Sequence, residues 1–338
     1  MNIHFYDEKG NIYNNHIDAI KSGQKCLLYY EDAFYDNVTW KIEPSLSLKE
    51  LYKLRAQEIR DTYEYVILFL SGGVDSRNVF ESFYLNKIHI DEIVCVGAFS
   101  QDRHRGSKEN NNDEIYVNTN PLLDSVFLPN TKITYFDYTK LYTQPYEFEL
   151  IKKFGDNWAY QLAYFKSFHK FFWYEIEKHL HIDGSKKTCY ILGVAKTALG
   201  MDKNGKYVIF NESDVTSFYA QTQNLFRENF YFAQTQIGAD IVKKQAYTMF
   251  NLYELYNNKN EFIKNYYKIY DKIIYDLKFP LIMKTRKTQK AFFSHRDTYM
   301  QKHTESEIYK IWYAGLQKLS SDIGLNYAPH FSKKYYIT

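Results

Sequence analysis

Cysteine is nearly absent: Cys26, Cys95 and Cys189 are the only three in 338 residues, and no two form a C-x-x-C pair. That scarcity excludes a disulfide scaffold and a zinc ribbon, argues against sulfur transfer by paired cysteines, and points to a reduced compartment. Proline is also scarce, with six residues, and neither a linker composition nor an internal repeat cuts the chain. No apolar run approaches the ~20 residues that span a bilayer. The stretch Met1-Asn2-Ile3-His4-Phe5-Tyr6 lacks the features of a signal peptide. The expectation is a soluble, cytoplasmic protein with no membrane partner. Charge of one sign is missing too: 43 Lys plus Arg against 40 Asp plus Glu leave no global basic field of the kind nucleic acid demands. No Ser/His/Asp or Cys/His set supplies a protein nucleophile. What is plentiful is aromatic, with 34 Tyr and 25 Phe. Together with abundant Asn, Lys and Ile, this reads as the composition of an AT-rich coding sequence rather than a base-stacking surface.

Against that background six residues stand out, Ser71-Gly72-Gly73-Val74-Asp75-Ser76. They follow an apolar run of strand length, Tyr65-Val66-Ile67-Leu68-Phe69-Leu70, and precede a helical pattern at Val79, Phe80 and Phe83. A strand that breaks at two glycines and restarts as a helix aims backbone N–H groups and a helix N-terminus at one point, a geometry that binds phosphate. The glycines permit positive φ and close approach, and the serine hydroxyls add donors. Asp75, a carboxylate beside such a nest, is placed to hold a Mg²⁺ that bridges phosphates. A second apolar strand, Ile93-Val94-Cys95-Val96-Gly97, completes one βαβ unit.

Elsewhere the pattern is coarser. Residues 1–45 read as β-rich, with Ile3–Tyr6 and Asn11–Tyr13 flanking a hairpin tip and Lys25–Tyr30 as a further strand. Ser47 and Glu50 form a capping box that opens a helix through Arg60. The polar stretch Gln101–Asn112 reads as a surface loop or a lid, and Asp113–Val126 as a helix. Ile133–Asp137 and Thr188–Leu192 are strands, and Trp158, Leu162, Phe165, Phe172, Ile176 and Leu180 trace a long amphipathic helix. Gly193 and Lys196 follow the Thr188–Leu192 strand, where a parallel sheet carries its ligand. Beyond Val208 the expectation is mostly helical. Gly200-x-x-x-x-Gly205-Lys206 mimics a Walker loop, but Tyr207 stands where Ser or Thr should be, so it reads as a hairpin. His295-Arg296-Asp297 and His179-Leu180-His181 read as coincidental polar residues.

The S-G-G-V-D-S wording is neither a dinucleotide fingerprint nor a Walker loop. It resembles the pyrophosphate-binding PP-loop of the ATP pyrophosphatases, a group that includes asparagine synthetase, argininosuccinate synthetase, GMP synthetase, NAD synthetase and the tRNA lysidine and thiolation enzymes. The resemblance covers roughly Ser47 to Ala291 and is closest in pattern to asparagine synthetase-like domains. It implies an α/β fold of the HUP/PP-loop type, a mostly parallel twisted sheet with helices on both faces. The organisation expected is a β-rich extension at 1–46, a nucleotide-binding core at 47–200 and a mostly helical part at 201–338 that completes the site.

Functionally the resemblance implies ATP and Mg²⁺, adenylation of a carboxylate or carbonyl acceptor, release of pyrophosphate, and capture of the adenylate by an amine or ammonia. Carried over by position, Ser71, Gly72, Gly73, Val74 and Ser76 hold pyrophosphate and Asp75 organises Mg²⁺. Arg77 either reaches a phosphate or braces the helix. Backbone near Leu70, Gly97, Phe99 and Gly193 surrounds the nucleotide. Lys284 and Lys287, after a proline-apolar segment, are alternative cations for the pyrophosphate. Lys196 stands where asparagine synthetase has acidic residues, which turns the expectation from asparagine formation toward a substrate carboxylate or phosphate. Asn2 replaces the cysteine of a glutamine amidotransferase, so ammonia is expected free or from a separate supplying protein. Modification of a tRNA or DNA base, with Lys284 to Lys290 as a basic face, is the enzymatic alternative, and a non-catalytic nucleotide-binding relative is the other.

Overall fold

A computed structural model describes residues 4–13, 18, 22, 26–29, 32–97, 114–137, 147–161, 184–193, 197–210, 225–279, 281, 307, 310–311, 314–315, 317–318, 321 and 332–338. The chain opens with three antiparallel strands, β1 (His4–Asp7), β2 (Ile12–Tyr13) and β3 (Cys26–Tyr29), in the order β2-β1-β3. Asp7 closes the β1–β2 hairpin: its carboxylate takes the Lys9 and Asn11 N–H groups, the Asn11 side-chain amide and the Tyr13 hydroxyl, all at 2.9–3.0 Å. Those bonds, Asn11's first, hold the Asp7 carboxyl below the usual carboxylate range. A short helix, α1 (Asp32–Tyr35), leads on toward α2 (Leu48–Thr62). The expected capping box is present, with Ser47 Oγ accepting the Glu50 N–H and Glu50 Oε2 accepting the Ser47 N–H. One face of α2 buries Leu51, Tyr52, Arg55, Ala56 and Ile59, the spacing that a 3.6-residue repeat lays on a single stripe.

Then come β4 (Tyr65–Phe69), α3 (Val74–Tyr84) and β5 (Glu92–Gly97). A π turn at Ile115–Thr119, α4 (Asn120–Ser125) and β6 (Lys132–Asp137) follow. After α5 (Glu147–Phe154) and a 3₁₀ turn at Gly155–Gln161 come β7 (Thr188–Leu192), β8 (Ala198–Asp202), β9 (Gly205–Ile209) and β10 (Leu225–Asn229). The described chain ends with α6 (Gln236–Leu255), α7 (Lys259–Lys264), α8 (Tyr266–Ile274) and β11 (Tyr335–Tyr336).

Strands β4, β5, β6, β7 and β10 pair in parallel as one sheet of order β10-β7-β4-β5-β6. The first strand laid down is the middle one; the next two extend the sheet on one side, and the last two on the other. This is the doubly wound order of α/β proteins, with its topological switch between β4 and β7. The three inner strands β4, β5 and β7 are buried along nearly their whole length, which is why they read as largely apolar runs rather than alternating ones. Val66, Leu68, Ile93, Cys95, Cys189 and Ile191 share a core with α2, α3 and α6, while Ile67, Phe69, Val94, Tyr190 and Leu192 form a cluster on the opposite face. Among the described residues no helix is long and apolar enough to cross a membrane.

The Walker-like segment is a hairpin, as expected. Gly205 has φ +128°, Asn204 N–H bonds Asp202 Oδ1 at 2.8 Å, and β11 pairs with β9 to give a small antiparallel sheet of order β11-β9-β8. Beyond Val208 the described chain contains α6, α7 and α8, with Leu225–Asn229 as an edge strand of the central sheet and Tyr335–Tyr336 pairing with β9. The segment expected as a helix over Asp113–Val126 is helical without a break from 114 to 125, with a π turn ahead of α4. Pro121 lies in the first turn of α4, and it has no N–H with which to continue an α-helical ladder from the preceding turn. Trp158, the first residue of the proposed amphipathic stripe, is buried in a 3₁₀ turn; Leu162 to Leu180 lie outside the described residues.

Candidate functional site

β4 gives way to the glycine bend at the carboxyl edge of the sheet. Leu70 N–H still bonds the Val94 carbonyl at 3.0 Å, and the chain then turns through Gly72 at φ +86°. Helix α3 begins at Val74, and its first backbone bond runs from Arg77 N–H to the Gly73 carbonyl at 3.1 Å. Its N-cap is Gly73, which has no side chain to cap the helix. The amino end of α3 thus has no side-chain cap and carries the positive end of the helix dipole. Ser71 is exposed, Gly73, Val74 and Asp75 are half-buried, and Ser76 is buried. The two serines tie the bend: Ser76 Oγ lies 3.0 Å from Ser71 Oγ, accepts the Ser71 N–H at 3.2 Å and donates to the Gly73 carbonyl at 3.2 Å.

Gly193, one residue past β7, meets the first turn of α3. A Cβ there would lie 2.9 Å from Ser76 Cα and 3.0 Å from the Asp75 carbonyl oxygen. Only glycine lets the end of β7 approach this closely, so the sequence brings both glycine sites to the two sides of the switch point. Gly97 ends β5 beside them, buried and paired with Asp137.

Asp75 sits in the first turn of α3, where a carboxylate complements the dipole. Its backbone carbonyl accepts the Tyr231 hydroxyl at 2.8 Å, and that hydroxyl also accepts the Asn78 side-chain amide at 3.0 Å. Tyr52, Tyr231 and Tyr275 are buried around it; burial first, and the Asp75 carboxylate in addition, push their hydroxyl pKa values up. These hydroxyls stay protonated and neutral.

Arg77 is a brace. Its guanidinium donates to the Asn118 carbonyl at 2.8 Å and the Phe279 carbonyl at 3.3 Å. It is 3% exposed, and burial lowers its pKa although Glu81 opposes that. Of the two roles open to it in the sequence, these contacts are those of helix bracing. Asn118, Tyr231 and Asn78 were not legible as site residues, since each reaches the bend through contacts made only in the folded chain. Phe99, Lys196, Lys284 and Lys287, the Gln101–Asn112 stretch and both histidine motifs lie outside the described residues.

Among the described residues no group of three or more His, Cys, Asp or Glu could hold a metal. The donor set fits Mg²⁺ nonetheless, because Mg²⁺ is commonly held by one or two carboxylates together with substrate phosphates rather than by a protein cage.

No family model matches the sequence, and no curated protein matches it. Seven chains of solved structures do. One is the NH3-dependent NAD synthetase from Campylobacter jejuni subsp. jejuni NCTC 11168 in complex with the nitrate ion. It is 11% identical with a TM-score of 0.33, over 84% of this chain and 99% of that one. So slight a likeness bears on neither reaction nor substrate.

Proposed function

We propose that this chain binds ATP with Mg²⁺ at the Ser71–Ser76 bend and is an AMP- and pyrophosphate-forming ligase. It adenylates a carboxylate or carbonyl and transfers it to an amine or ammonia, in the manner of the asparagine synthetase-like PP-loop enzymes its motif resembles. One observation carries the reading: a helix N-terminus capped by a bare glycine stands at the end of the first-laid central strand, beside the switch point. Ligands of open α/β sheets bind there.

In this proposal the N–H groups leading α3 bind the phosphate chain and hold it in line for attack at the α-phosphorus. The half-buried Asp75 carboxylate would hold the metal, which would supply positive charge toward the leaving pyrophosphate. Gly193 keeps β7 from crowding the phosphates, and the Tyr231 hydroxyl fixes the peptide that follows Asp75. Lys196, Lys284 and Lys287 are proposed as the cations that meet the acceptor's negative group and the departing pyrophosphate. No protein nucleophile is needed, because the acceptor oxygen itself attacks.

The test is product analysis with ATP, Mg²⁺, ammonium and a panel of carboxylic acids. Phosphate is read by malachite green with and without added pyrophosphatase. Acceptor-dependent AMP matched one-to-one by pyrophosphate is the expected result; ADP with free phosphate would contradict the cleavage position.

A further inference from the structure

The π turn Ile115–Thr119 sits directly on the glycine bend. A Cβ on Gly72 would lie 2.5 Å from the Glu114 carbonyl oxygen and 2.8 Å from Thr119 Oγ1, so the two backbones touch. π turns carry one extra residue per turn and re-aim the side chains that follow. Here Asn118, 1% exposed, points its amide at the bend, and Nδ2 donates to the Gly72 carbonyl at 3.2 Å. The Asn118 carbonyl is itself held by Arg77. Arg77 is in turn tied to Phe279, whose N–H bonds Glu81 at 2.9 Å, and the neighbouring Lys278 N–H bonds the same carboxylate at 2.7 Å. Asn118 is thus fixed by a partly buried circuit that begins and ends on α3.

A peptide unit is planar and trans, so its carbonyl and its N–H point in opposite directions. Holding the Gly72 carbonyl inward therefore turns the Gly73 N–H toward exposed Ser71, whose Oγ it meets at 3.3 Å. With glycine on both sides, nothing in the local dihedral preferences stops this peptide from flipping. A flipped peptide would present a carbonyl oxygen to an anion in place of a donor. We infer that Asn118 is a positioning residue for phosphate binding, locking the Gly72–Gly73 peptide with its N–H toward the phosphate chain. The inference rests on the nucleotide reading above and deepens it, because it names a residue outside the bend that sets the orientation of one of its peptides.

The experiment is calorimetric titration of inorganic pyrophosphate with Mg²⁺, and separately of adenosine, into the wild type, Asn118→Leu and Asn118→Asp. Both substitutions remove the donor, and the nearly isosteric Asn118→Asp carries the test if the leucine variant does not fold. Loss of one charge-assisted hydrogen bond predicts pyrophosphate affinity lowered roughly 10- to 100-fold, with adenosine affinity unchanged. Unchanged pyrophosphate affinity, or equal loss for both ligands as general damage would give, overturns the inference and leaves the nucleotide reading standing. A wild type that binds neither ligand removes both.

Discussion

Replacing Asp75 with alanine is expected to lower pyrophosphate release by about 100- to 1,000-fold, the usual cost of removing one preorganised electrostatic group from a transition state. The carboxylate lies in the first turn of α3, beside the bend proposed to hold the phosphate chain. Asp75 would hold a metal that supplies positive charge there; without the carboxylate, the N–H groups of the bend alone would have to offset the charge of the leaving group. Asp75→Asn should lose nearly as much, because the amide keeps the shape but not the charge. Both variants should keep the wild-type circular dichroism spectrum, since the contacts that tie the Asp75 backbone to Tyr231 involve its carbonyl and not its side chain. Steady-state release measured with pyrophosphatase coupling checks this. An Asp75→Ala protein turning over at the wild-type rate would remove Asp75 from the chemistry.

The largest loss of stability is expected at Arg55. Its guanidinium is 3% exposed and pairs with Glu58 at 2.7 Å and Glu228 at 2.5 Å. It also donates to the Asn229 and Phe230 carbonyls at 3.1 and 3.3 Å. Burial alone would lower the Arg55 pKa; Glu228 and then Glu58 reverse that and raise it. Glu228 also accepts the Tyr63 hydroxyl, and Glu58 accepts Thr235 Oγ1 at 3.2 Å. This cluster fastens the end of β10 to α2. Arg55→Met keeps the apolar stem but strands two partly buried carboxylates, at an expected cost of about 3 kcal/mol, the low end for a broken buried pair because both acids retain some solvent. Denaturant unfolding measures it. Adding Glu58→Gln and Glu228→Gln should recover part of the loss, and a single variant within about 0.5 kcal/mol of wild type, the range of an ordinary surface substitution, would contradict the clamp.

The same cluster explains why β10 was not legible. Leu-Phe-Arg-Glu-Asn reads as a polar segment, and its charges become tolerable only through residues distant in sequence: Glu228 on Arg55, Arg227 against the Tyr190 ring. Local signals fared better. The Ser47–Glu50 capping box, the Asp202–Gly205 turn, and the strand–glycine–helix passage through Leu70 to Ser76 need only neighbours in the chain, and all were readable. The strand order was not, because the switch between β4 and β7 depends on where the chain returns rather than on any motif. Arg77 was readable only as a choice of roles; its bonds to the Asn118 and Phe279 carbonyls come from contacts made in the folded chain. Asn118 gave no signal at all, since its amide matters through one carbonyl 46 residues away.

Calorimetric titration of a non-hydrolysable ATP analogue with Mg²⁺ into wild type and Gly72→Ala is the most direct measurement. Gly72 has φ +86°, and a Cβ there would lie 2.5 Å from a backbone oxygen, so alanine must displace the bend. One site per chain in the wild type, weakened at least tenfold by the alanine, is the predicted result. No binding to the wild type, or equal affinity in both proteins, would mean that the bend between β4 and α3 does not hold a nucleotide.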